Sequence, residues 1–70
     1  MSTFLDRLTE EQEQLLDKVT KLEIFINNNP AFLTVSEIQK VLLVTQLKAM
    51  KLYLYTLDER INDLLPKTNN

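Results

Sequence analysis

The sequence predicts an all-α fold, an antiparallel two-helix hairpin that assembles with copies of itself into a symmetric homo-oligomeric helical bundle. Three observations predict it. Apolar residues recur at steps of three and four through two long stretches, the spacing of a helix packed lengthwise on another helix. Between the stretches stands Asn27-Asn28-Asn29-Pro30, which breaks a helix, and the rest of the 70 residues hold no Gly and one further Pro. The second stretch, residues 36–65, also carries more apolar surface than a single partner helix covers.

A single domain is expected, with a helix over about 4–27, a connection over 28–35, a helix over about 36–65 and a tail over 66–70. Ser2 or Thr3 can cap the first helix, because a short hydroxyl accepts from the free amides of the first turn. Asp6 then sits near the positive end of the helix dipole. The first seam is Leu5, Leu8, Gln12, Leu15, Val19, Leu22 and Ile26. Gln12 is its one polar member, read either as a half-exposed register residue or as a ligand contact within a subunit interface. The opposite face is charged, and Asp17 and Lys21 stand four apart with the acid first, the better order for a helix ion pair. The three asparagines are expected to close the helix in the left-handed conformation, ahead of a proline that cannot continue it.

Phe32 and Leu33 are expected to fold back as a plug over the end of the hairpin. Thr34 with Glu37, or Ser36 with Gln39, has the spacing of a capping box, so either starts the second helix. Its seam is Leu43, Leu47, Met50, Leu54, Leu57, Ile61 and Leu64. Val41, Val44, Leu52 and Tyr55 form a second flank, which Ile38 and Leu42 widen. The second helix is expected to outrun the first, leaving Leu64 and Leu65 to be covered by another subunit or by the chain's own N-terminus. Pro66 stops it.

A chain of 70 residues has a small core, and such domains add disulfides, a metal or oligomerisation. With no Cys and no His, disulfides and the usual zinc sets are excluded and oligomerisation remains. No cofactor is expected. The N-terminus shows no secretory signal, and the longest apolar run, Val41 to Val44, is far below the roughly 20 residues of a membrane span, so a cytoplasmic protein is expected. Residues 1–37 hold seven acids and three bases, and residues 38–70 three acids and five bases, for a net charge of −2. The basic second half complements the acidic first, and a basic patch for nonspecific nucleic acid is not evident.

Nucleophilic catalysis needs a nucleophile beside a base. Ser2 and Ser36 read as caps, and without Gly there is no phosphate loop of the nucleotide-binding kinds. Binding chemistry is better represented. Lys48 and Lys51 stand near Val44 and Tyr55. Gln46, Tyr53 and Arg60, seven apart, form a polar file beside the Met50 seam. A ring stacks a nucleobase, and a guanidinium holds phosphate through paired hydrogen bonds. Equally, Tyr53 packs at the bundle edge and Arg60 pairs with Asp6 or Asp63, since both types are ordinary interface anchors.

Arg7-Leu8, Leu15, Lys18, Lys21-Leu22 and Phe25-Ile26, followed by Leu42-Leu43, Gln46-Leu47, Met50, Tyr53, Leu57 and Arg60-Ile61, resemble a family of very small proteins of crAss-like phages, over residues 4–63. The stretch QLKAMKLYLYTLDERI, residues 46–61, is the most specific part. That family is similar, more distantly, to the helical-hairpin domain of phage anti-defence sponges, which counter CBASS and Thoeris immunity by sequestering cyclic oligonucleotides or cyclic ADP-ribose signals in pockets between subunits. The resemblance implies a homo-oligomer that binds a nucleotide-like signal without cleaving it, with Arg7, Lys18, Lys21, Gln46, Tyr53 and Arg60 as the ligand-binding residues. This chain offers Phe4 where the sponges carry an N-terminal Tyr. Two other readings stand beside it: a module that inhibits a host defence protein, as an anti-CRISPR does, and a structural coiled coil.

Overall fold

The computed structural model describes residues 3–66. Ser2 as an alternative cap, and the polar tail at 67–70, lie outside them. Helix α1, Phe4–Asn28, and helix α2, Glu37–Leu64, pack as an antiparallel hairpin joined by a 3-10 turn at Pro30–Thr34. No strand occurs among the described residues. The hairpin is a flat rod of 50 × 29 × 18 Å.

Each boundary has a local cause. Thr3 caps α1 through a reciprocal box: its Oγ1 accepts from the Asp6 N–H at 3.1 Å, and Asp6 Oδ2 accepts from the Thr3 N–H at 3.1 Å. Two of the orphan donors of the first turn are thereby satisfied. Helix α2 takes the Ser36 alternative, with Ser36 Oγ accepting from the Gln39 N–H at 3.2 Å.

The left-handed ending expected of the asparagines does not form. Asn29 is extended, at φ −93° and ψ 120°, and among the described residues no φ is positive. The cause is Pro30, whose ring clashes with a helical or left-handed predecessor and drives it to the extended region. Asn29 serves as a hinge of hydrogen bonds instead. Its N–H reaches the Phe25 carbonyl, its Oδ1 accepts from the Ala31 N–H at 2.9 Å, and its carbonyl accepts from the Phe32 N–H at 3.0 Å. Leu65, before Pro66, is extended for the same reason, and its N–H returns to the Ile61 carbonyl at 3.1 Å.

The plug is half of what was expected. Phe32 packs edge-on against Phe25, with centroids 6.0 Å apart and planes at 89°. Leu33 remains 73% exposed. In a 3-10 turn successive side chains are 120° apart, so one residue of a neighbouring pair turns inward and the other turns out.

The core is one residue thick. Leu8, Leu15, Val19, Leu47 and Leu57 are buried, with Leu22, Ile26, Met50, Leu54 and Ile61 packed around them. Both seams supply it as their spacing requires. Among the described residues only Leu57 is fully buried among large side chains. Helix α1 has 25 residues and α2 has 28, so the overhang is short. Ile61 still reaches the core, while Leu64 and Leu65 are 46% and 44% exposed. The described N-terminal residues leave them so.

Candidate functional site

The two helices meet along two edges, and these differ in chemistry. On the first, Gln12 Nε2 donates to Asp58 Oδ1 at 2.9 Å, and Lys51 pairs with Glu23. These two rungs tie α1 to α2 along this edge. Gln12 is therefore a half-buried seam residue with a partner on the opposite helix. Beside it lies a concavity of about 210 Å³ lined by Thr9, Gln12, Asp58, Ile61, Asn62 and Leu65.

The second edge carries the candidate binding residues. At its open end the Arg60 guanidinium lies over the Phe4 ring, 5.9 Å from the centroid. Arg60 thus meets a ring contributed by α1, an arrangement absent from the sequence-based alternatives. Asp6, one of the acids considered for it, is engaged in the Thr3 cap. A step of seven residues returns to nearly the same side of a helix. Tyr53 and Gln46 therefore continue the file of Arg60 along α2, and Glu11 and Lys18 continue the file of Phe4 along α1. Because the helices are antiparallel, those steps run together and bring Tyr53 to the level of Glu11 and Gln46 to the level of Lys18. Arg7 lies one turn beyond Phe4.

Arg7, Lys18, Lys21, Gln46, Tyr53 and Arg60 are all exposed. Gln46 Nε2 donates to Met50 Sδ at 3.8 Å. Lys21 is turned furthest from α2 and pairs with Asp17 at 2.8 Å, as its spacing anticipates. Its pKa is raised above the ordinary lysine value, first by the hydrogen bond to Asp17 and then by that carboxylate's charge. The edge is a surface strip, and none of the six residues lines any of the three surface concavities that stand out. Phe4, set beside the N-terminal Tyr of the sponges by the resemblance but absent from the six ligand-binding residues, is the member of this strip whose contact with Arg60 the sequence reading missed, and its heptad relation to Lys18 was the signal available.

The flank of α2 that faces away from α1 is the other exposed feature. Ile38, Val41, Leu52 and Tyr55 are all exposed there. A concavity of about 310 Å³ opens on it, lined by Lys40, Val41, Val44, Thr45 and Lys48. Lys40 pairs with Glu37 at 2.8 Å. Among the described residues no group of three or more Asp or Glu stands close enough to hold a metal ion, and no helix is long and apolar enough to cross a membrane.

These features define a small all-α hairpin with a thin core, whose chemistry-bearing side chains lie on its surface. The chain belongs to the Sequestin family, whose model matches residues 2–63. It is 38% identical over 61 residues to an uncharacterized 7.5 kDa protein of the denB-rIIB intergenic region of Enterobacteria phage T4, covering 87% of this chain and 94% of that relative. The resemblance to small phage helical-hairpin proteins seen in the residues is met at that level. No solved structure matches.

Proposed function

We propose that this chain is a phage anti-defence protein that sequesters a nucleotide-like immune signal, a cyclic oligonucleotide or a cyclic ADP-ribose derivative, in the host cytoplasm and without cleaving it. The observation that carries the reading is the cationic and aromatic strip on a chain of the Sequestin family. The exposed Tyr53 ring offers a face for a base. Arg60, already braced by the Phe4 ring, offers a two-pronged donor for a phosphate. Arg7 and Lys18 add positive charge along the same strip, Lys21 adds it at the solvent side, and Gln46 adds an amide that can read a base edge. A strip of this kind is open on one hairpin and becomes a cleft when copies assemble, so the active form is a homo-oligomer that holds the ligand between subunits. Sequestration needs affinity alone, which suits a chain with neither Cys nor His.

The test is thermal denaturation with a panel of cyclic di- and trinucleotides and cyclic ADP-ribose isomers, together with mass spectrometry of small molecules released from the heat-denatured purified protein. Stabilisation by one of them, with loss of free ligand on mixing and its return intact on heating, is expected. No stabilisation and no depletion by any of them overturns the reading. A second reading, an inhibitor of a host defence protein, is favoured by the exposed apolar flank of α2, which suits a partner helix. Light scattering separates the two: a closed oligomer supports the sponge, and a monomer supports the inhibitor.

A further inference from the structure

The outward flank of α2 is a second seam. Ile38, Val41, Thr45, Lys48, Leu52 and Tyr55 follow one another at steps of three and four. From Val41 on, each stands two residues before a member of the inner seam, Leu43, Leu47, Met50, Leu54 and Leu57. Two residues turn a helix by about 200°. The second seam therefore runs along the side of α2 opposite α1, where Ile38, Val41, Leu52 and Tyr55 are 60–67% exposed. The pattern reads the same from either end: two apolar residues, two polar, two apolar. A two-fold interface requires that self-complementarity, because each surface meets its own copy reversed.

We infer that this seam joins two copies of the chain, α2 against α2 and antiparallel, with the two-fold axis passing between Thr45 and Lys48. The register then sets Ile38 against Tyr55 of the other copy, Val41 against Leu52, and Thr45 against Lys48. It deepens the oligomer reading given above, and rests on it, by naming the surface and the direction of pairing.

Two local features fit the pairing. The concavity on this flank is lined by Lys40 together with four others, Val41, Val44, Thr45 and Lys48. Those four positions, i, i+3, i+4 and i+7, make the hole that receives a knob from a packed helix. In the stated register the knob is Lys48 of the second copy, whose aliphatic stem lies along Val41 and Val44. The Thr45 hydroxyl donates its proton to the Val41 carbonyl at 2.8 Å. Its oxygen is left as an acceptor only, suited to the incoming ammonium. Lys48 has no ion pair among the described residues. In-register parallel pairing would set Lys48 directly against Lys48, whereas the antiparallel register offsets the two lysines by about one turn. Ile38, Val41, Leu52 and Tyr55, each 60–67% exposed, offer on the order of 500 Å² per copy, so pairing withdraws at most about 1,000 Å², the lower bound for a specific interface.

The absence of native Cys makes the test direct. Ile38→Cys and Tyr55→Cys are prepared singly and oxidised alone and as an equal mixture, with no ligand added. The mixed disulfide is expected to dominate, with little disulfide from either variant alone. Disulfides within each single variant, or none in any sample, overturn the antiparallel register. Leu52→Glu, at an exposed position, is expected to halve the light-scattering mass of the particle while its helical circular dichroism is kept. An unchanged mass, or a wild-type monomer at micromolar concentration, overturns the interface. Cross-linking reads the pairing without ligand, so its failure leaves the signal-binding assay standing, and the converse also holds.

Discussion

Arg60 and Tyr53 occupy one file of α2 but have different surroundings. Arg60 is held by the Phe4 ring, so its loss should matter to binding and little to packing. Arg60→Ala and Tyr53→Ala are expected to abolish the thermal shift given by the bound signal while leaving the light-scattering mass unchanged. If the mass falls instead, both residues are interface anchors. Gln12 makes the opposite case. It stands in an apolar seam and spends its amide on Asp58 across the hairpin. A net hydrogen bond between half-exposed groups is worth about 1 kcal/mol, and a buried leucine about 2 kcal/mol. Gln12→Leu is therefore expected to raise the melting temperature of the apo protein.

At the scale of the element, the caps and stops follow from side chains a few residues apart, which is why they could be read from the sequence. Thr3 with Asp6, and Ser36 with Gln39, are spaced to bond as they do. Ser36→Ala is expected to cost about 1 kcal/mol in denaturant unfolding, the usual worth of such a cap. The seams were equally legible, since leucines at steps of three and four have one way to be buried together. Two features were not. The conformation of Asn29 is dictated by its successor, so a residue preference pointed the wrong way and the ring of Pro30 prevailed. The Phe4–Arg60 contact joins residues far apart in the chain, and it depends on the register of one helix on the other. Hydrophobic spacing fixes which faces meet, and it leaves the sliding of one rod along the other to rungs such as Gln12 with Asp58. The candidate strip was legible as residue types and spacing on each helix, and its assembly across two helices was not.

For the whole molecule, the decisive number is one: among large side chains a single described residue, Leu57, is fully withdrawn from water. Leu57→Ala is expected to cost about 2–5 kcal/mol and, in a domain this small, to leave little folded hairpin by circular dichroism. Because assembly is proposed to cover the outer flank of α2, the melting temperature should rise with protein concentration, and rise again by mass action when a signal binds. A melting temperature that stays constant over a hundredfold dilution would mean that the hairpin stands alone. The thin core also bears on how long the protein persists. A solitary hairpin opens often, and each opening offers its backbone to housekeeping proteases. On the proposed function, copies that pair or capture a signal would open more rarely and outlast the rest, so turnover itself would trim the unengaged stock and leave the loaded particles in place.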